Sequence, residues 1–132
     1  MRKVTHTAPM ALIVDDVAAD RERAVALLEE TELDVITCAS GEAAVEVLQR
    51  CGEDVAMLFT GPSLAGSMDG VQLARAVGKL WPAIRLVVTS DAPDASARDL
   101  PDAAICMKRP WLPLDVLVQA GRAVRRPQPL VA

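Results

Sequence analysis

The sequence predicts an α/β domain, a doubly wound parallel sheet of five strands with helices on both faces. Three observations predict it. Apolar runs of strand length alternate five times with helix-length segments, the pattern of repeated strand–helix units. The run Met10–Val14 is apolar throughout, as a strand covered on both faces must be. Asp15-Asp16, Gly61, Thr89 and Arg109 each stand at the end of an expected strand. Parallel strands bring those ends to one edge, where such sheets carry their sites.

Element by element, residues 1–9 read as a loose leader that holds His6 in polar surroundings. Met10–Val14 is the first strand. Asp20–Glu30 reads as an amphipathic helix with Ala24, Leu27 and Leu28 on one side. Asp34–Cys38 is a short strand. Ser40 is placed to cap the next helix, which runs to about Gln49 before Gly52 ends it. Val55–Phe59 is the third strand. Gly70 precedes a helix that presents Val71, Ala74, Val77 and Leu80-Trp81 until Pro82 stops it. Ile84–Val88 is the fourth strand. Residues 91–102, rich in Asp, Ala and Pro, predict only a short or irregular helix. Ala103–Met107 is the fifth strand. Pro113 opens a last helix to about Val124, with Leu114, Leu117 and Val118 as its apolar positions and Gln119 and Arg122 as polar ones. Residues 126–132 form a tail with nothing to pack.

The chain of 132 residues suits one domain, over 10–125, with a core of Ala, Val and Leu, for it has one Phe, two Trp and no Tyr. Its net charge of -4 argues against nonspecific nucleic-acid binding, which needs a basic surface. Cys38, Cys51 and Cys106 lack metal-site spacing, and an odd count gives no simple disulfide framework; small buried thiols in a reducing compartment are expected. No segment approaches the ~20 apolar residues of a membrane span, and the leader has no apolar run behind its charges. A cytoplasmic protein without membrane contact is expected.

The strand ends carry more. Leu58-Phe59-Thr60-Gly61 leads into Pro62-Ser63-Leu64-Ala65-Gly66-Ser67-Met68-Asp69-Gly70. Leu86-Val87-Val88 ends in Thr89-Ser90, and Ile105-Cys106-Met107-Lys108 leads to Arg109-Pro110-Trp111. With Asp15-Asp16, this order and spacing resembles the receiver domain of two-component response regulators, over roughly residues 10–125. The resemblance implies the flavodoxin-like (βα)5 fold with strand order 2-1-3-4-5. It also implies roles. Asp15 and Asp16 match the acids that bind Mg²⁺, and Thr89 and Ser90 match the hydroxyl and the small residue beside the phosphoryl group. Gly61 stands where receivers carry the phosphoacceptor aspartate. Arg109 replaces the receiver lysine, Cys106 the switch aromatic, and Trp111 the aromatic after the retained Pro110.

These departures decide the functional expectation. Glycine can neither attack phosphorus nor ligate metal, and losing one of three carboxylates weakens Mg²⁺ affinity, so any Mg²⁺ at Asp15 and Asp16 is weak or vestigial and none is required. Arginine's planar fork does not reproduce a compact ammonium, although it can still reach Asp15 or Asp16 in a salt bridge. Lys108 should point to the opposite face and not substitute. The expectation is a single-domain pseudo-receiver, not an enzyme, that acts as a phosphorylation-independent interaction module. Its last-helix face would dock a histidine kinase, another response regulator or a separate effector, and pairing of two copies through Arg98–Val124 is open to it. Two alternatives stand beside it. One is a phospho-receiver that uses Ser63, Thr60 or Asp69, although Thr60 should face away and Asp69 lies far along the loop. The other is a small-anion or redox sensor built on Arg109 or Cys106, although Cys106 is expected to face the interior.

Overall fold

The structure, a computed structural model, describes residues 9–92 and 97–125. The leader through residue 8 with His6, the tail from residue 126 and part of the 91–102 stretch lie outside them. Five parallel strands, β1 (Met10–Val14), β2 (Asp34–Cys38), β3 (Val55–Thr60), β4 (Arg85–Ser90) and β5 (Ile105–Lys108), form one sheet in the order β2-β1-β3-β4-β5. The helices are α1 (Ala18–Leu28), α2 (Gly41–Cys51), α3 (Gly70–Leu80) and α4 (Pro113–Val124). Between β4 and β5 the described residues contain only a single 3-10 turn, Ala97–Asp99, as the composition of that stretch predicts.

Side-chain alternation along the strands sorts the core into two layers. Ala11, Ile13, Met57, Phe59, Val87 and Met107 face α1 and α4, where Ala24, Leu28, Val116, Ala120 and Ala123 meet them. Met10, Leu12, Val14, Leu58 and Leu86 face α2 and α3 and meet Ala44, Leu48, Leu73 and Val77. Both faces of β1 and β3 are therefore buried, which explains their uninterrupted apolar runs.

Several boundaries differ from the sequence reading. Helix α1 starts at Ala18 rather than Asp20, because Asp15 Oδ1 accepts the Val17 N–H at 2.9 Å and turns the chain directly after β1. Strand β4 runs on to Ser90 and β5 to Lys108, because their ladder continues through Thr89↔Met107 and Ser90↔Lys108. Ser40 caps α2 as expected, accepting the Ala43 N–H at 3.1 Å. On α3 the buried positions are Leu73, Ala74 and Val77, whereas Leu80 is 66% exposed. The half-buried Trp81 closes that end instead, its indole lying where a Cβ on Gly52 would go. On α4 the buried face is Val116, Gln119, Ala120 and Ala123, while the expected Leu114 and Val118 point outward. Cys38, Cys51 and Cys106 are half-buried rather than buried.

Candidate functional site

The same alternation that builds the core aims the site. Asp15 follows Ile13, Gly61 follows Phe59, Thr89 follows Val87 and Arg109 follows Met107, each two residues on and so on the face covered by α1 and α4. Four strand ends thereby turn onto one side of the carboxyl edge. Thr60, Ser90 and Lys108 have the opposite parity. Thr60 is fully buried with its hydroxyl donating to the Gly61 carbonyl at 3.0 Å, and Lys108 is exposed.

Gly61 continues the β3 ladder, its N–H donating to the Val14 carbonyl at 2.8 Å. The space beside its Cα is taken by Asp15. A Cβ at Gly61 would stand 2.9 Å from Asp15 Oδ2 and 3.0 Å from its carboxyl carbon. The Asp15 carboxylate thus lies over the glycine, in the volume a side chain at 61 would need. Burial pushes its pKa up; the Val17 N–H pulls it down, Asp20 pushes it up and Arg109 pulls it down.

Arg109 does not bridge Asp15 or Asp16. Its guanidinium donates to Asp20 Oδ2 at 2.7 Å and lies 3.9 Å from Asp91 Oδ1. Arginine's reach explains this correction: the long fork passes the strand-end acids and meets a carboxylate in the first turn of α1. Two further contacts fasten α1 to the same region. Arg21 donates to the Asp15 carbonyl at 2.6 Å, and the Arg23 guanidinium stacks 4.4 Å from the Trp111 ring centroid. Trp111 is buried and meets Phe59 edge-on at 5.6 Å, just after the cis Arg109–Pro110 bond. Asp20 is the site residue that sequence reasoning missed. The available signal was an acid one helical turn after the strand-end pair, on the side of α1 that faces the sheet edge.

The remaining positions are placed as follows. Thr89 is buried, its hydroxyl 3.4 Å from the Thr60 carbonyl. Ser90 Oγ accepts the Ala92 N–H at 3.0 Å and shapes the turn after β4. Asp16 is exposed. Cys106 is not in the packed interior; it is half-buried on the edge strand, in a hollow of about 310 Å³ shared with Lys108, Asp115 and Val118. Ser63 is exposed, and Asp69 is engaged in a reciprocal cap of α3, accepting the Gln72 N–H at 2.8 Å while its own N–H donates to Gln72 Oε1 at 2.9 Å. The loop between β3 and α3 is held from a second side. Glu42 accepts from the Ser67 N–H and hydroxyl at 3.1 and 2.8 Å, and the Ser67 hydroxyl is the chief reason its pKa is lowered. Gly66 makes the turn at φ +88°, a conformation L side chains rarely adopt.

Among the described residues no three His, Cys, Asp or Glu side chains converge as a metal site. Asp15 already gives one oxygen to the Val17 N–H, and Gly61 adds no side-chain oxygen.

No family model matches the sequence. No curated protein matches it either. Solved structures do match. A response regulator receiver domain protein from Clostridium thermocellum is similar with a TM-score of 0.76 at 16% identity, over 89% of this chain and 95% of that one. The signal receiver domain of an HD domain-containing protein from Pseudomonas fluorescens Pf-5 gives 0.78 at 19%, over 89% and 95%. The receiver domain of NtrX from Brucella abortus gives 0.75 at 20%, over 89% and 99%. The chain therefore has the receiver-domain fold, with the strand order 2-1-3-4-5 that the resemblance implies. Among the described residues no helix is long and apolar enough to cross a membrane.

Proposed function

We propose that this chain is a pseudo-receiver of two-component signalling, a non-enzymatic module that binds protein partners without being phosphorylated and needs no Mg²⁺. The observation that carries the reading is the Asp15 carboxylate lying over Gly61. The acceptor is missing, and the space of its side chain is occupied by the residue that matches a metal ligand. Arg109 supports the same reading, because its charge is satisfied by Asp20 within the protein and does not wait for a phosphoryl group. That engagement also counts against the small-anion reading, which needs a free guanidinium. Thr60, buried on the opposite parity, and Asp69, committed to its cap, are poor acceptors. Partner docking falls to the α4 side, where Leu112, Leu114 and Val118 are 63%, 68% and 40% exposed. A histidine kinase, another response regulator or an effector in the cytoplasm is the partner class this surface suits.

Intact mass after incubation with Mg²⁺ and acetyl phosphate tests the reading, beside a Gly61→Asp variant. The expected result is no phosphoryl adduct on the unmodified chain. The variant must first push Asp15 aside, so a small adduct yield is expected from it. An adduct on the unmodified chain, mapped to any residue, overturns the proposal.

A further inference from the structure

The outer side of α3 has a character that the site does not use. Arg75 and Lys79, one turn apart, form a cationic ridge between two open grooves of about 410 and 420 Å³. The first groove has Leu100 and Pro101 on its far wall and a third cation, Arg98. The second contains Ala76 and the 66%-exposed Leu80. Among the described residues, none of Arg75, Lys79 and Arg98 has a carboxylate within ion-pair distance; the pairs formed are Arg23–Asp20, Arg50–Glu46, Arg109–Asp20 and Arg109–Asp91. Among the described residues that line either groove, Asp99 is the one acid. Three cations with no ion pair among the described residues, on a chain of net charge -4, are a local inversion of its charge.

The groove is also built in place. Gly78 leaves room for Pro101 to lie on the helix: a Cβ there would come within 3.1 Å of Pro101 Cγ. This face belongs to the α2–α3 layer of the sheet, opposite the α1–α4 layer that carries the site.

We infer that the α3 face is a second docking surface, for an acidic amphipathic helix of a partner protein. Carboxylates of the partner would lie along the Arg75–Lys79 ridge, and its apolar side chains would enter the flanking grooves against Leu80 and Pro101. Charge complementarity selects an acidic partner. The exposed Leu80 and the open grooves select a polypeptide over a free anion, because a small ligand needs a site that encloses most of its surface.

The test uses the full chain and a fluorescent synthetic helix with Glu at i,i+4 spacing flanked by Leu, followed by anisotropy. A matched helix with Ser in place of Leu, and inorganic pyrophosphate, are the comparison ligands. Binding of the Leu helix should weaken about tenfold or more in Arg75→Glu/Lys79→Glu, because like charges then face each other across the contact. It should weaken also in Leu80→Ser, and remain unchanged in Arg50→Glu/Lys108→Glu, which alters net charge equally. Circular dichroism checks that each variant folds; all the altered side chains are exposed. Absence of binding overturns the inference. So does equal loss in both charge-reversed pairs, equal binding of the Ser helix, or displacement by pyrophosphate at the helix's own concentration. Salt-sensitive self-association in sedimentation, abolished by Arg75→Glu/Lys79→Glu, would reassign the face to a second copy and overturn it as well. None of these outcomes depends on whether the chain accepts phosphate.

Discussion

Asp15 shows how a glycine makes room for its neighbour. With glycine at 61 the aspartate settles over the strand end, loses water and acquires a raised pKa. A carboxyl group whose folded pKa lies above its unfolded value binds its proton more tightly in the folded state. Stability then falls as pH rises from the ordinary carboxylate value through the folded one, and at neutral pH the ionised group is a cost. Asp15→Asn removes the charge while its Oδ1 still accepts the Val17 N–H. The variant is expected to melt a few degrees above the unmodified chain at pH 7. The difference should vanish on acidification into the ordinary carboxylate range, as thermal unfolding across pH would show. The acid pair and Gly61 were legible in the sequence because they follow apolar runs. The contact between them was not, since it depends on the closeness of β1 and β3 and on one rotamer.

Helix α1 and the segment after β5 work as one unit. Arg109–Asp20, Arg23–Trp111 and Arg21 on the Asp15 carbonyl tie them together across the carboxyl edge. The Arg109–Asp20 pair is about a quarter exposed on each side, so solvent screens it only partly. Asp20→Ala is expected to cost about 1 kcal/mol, between an exposed ion pair and a buried charged hydrogen bond. Urea unfolding of Asp20→Ala, Arg109→Ala and the double variant checks this: the two losses should fall short of additivity by a similar amount. Most element types were readable from the strand-length apolar runs. The buried face of helix α4 is not legible in the sequence because the helix carries apolar residues all around: Leu114, Val116, Leu117, Val118, Ala120 and Val124 satisfy more than one helical face. Only packing against β3 and the α1 layer selects Val116, Ala120 and Ala123.

Across the whole molecule, burial falls from the central strands to the edges. β1 and β3 are buried along their full length, while β2 and β5 are only partly covered. Amide hydrogen exchange is therefore expected to be slowest in β1 and β3, and faster in β2 and β5 by local opening. Uniform protection across the sheet would contradict it.

The sequence by itself determined the fold class, the five strands and the edge at which Asp15, Gly61, Thr89 and Arg109 gather, because chain direction and side-chain period are local properties. It also determined that a glycine, without a side chain, follows the third strand at position 61. Only the tertiary structure decided that Asp15 covers Gly61, that Arg109 pairs with Asp20, and that Leu80, Leu114 and Val118 face outward. Those outcomes depend on which elements come within a few ångströms of one another. Partners 89 positions apart, as Arg109 and Asp20 are, leave no periodic trace in the chain.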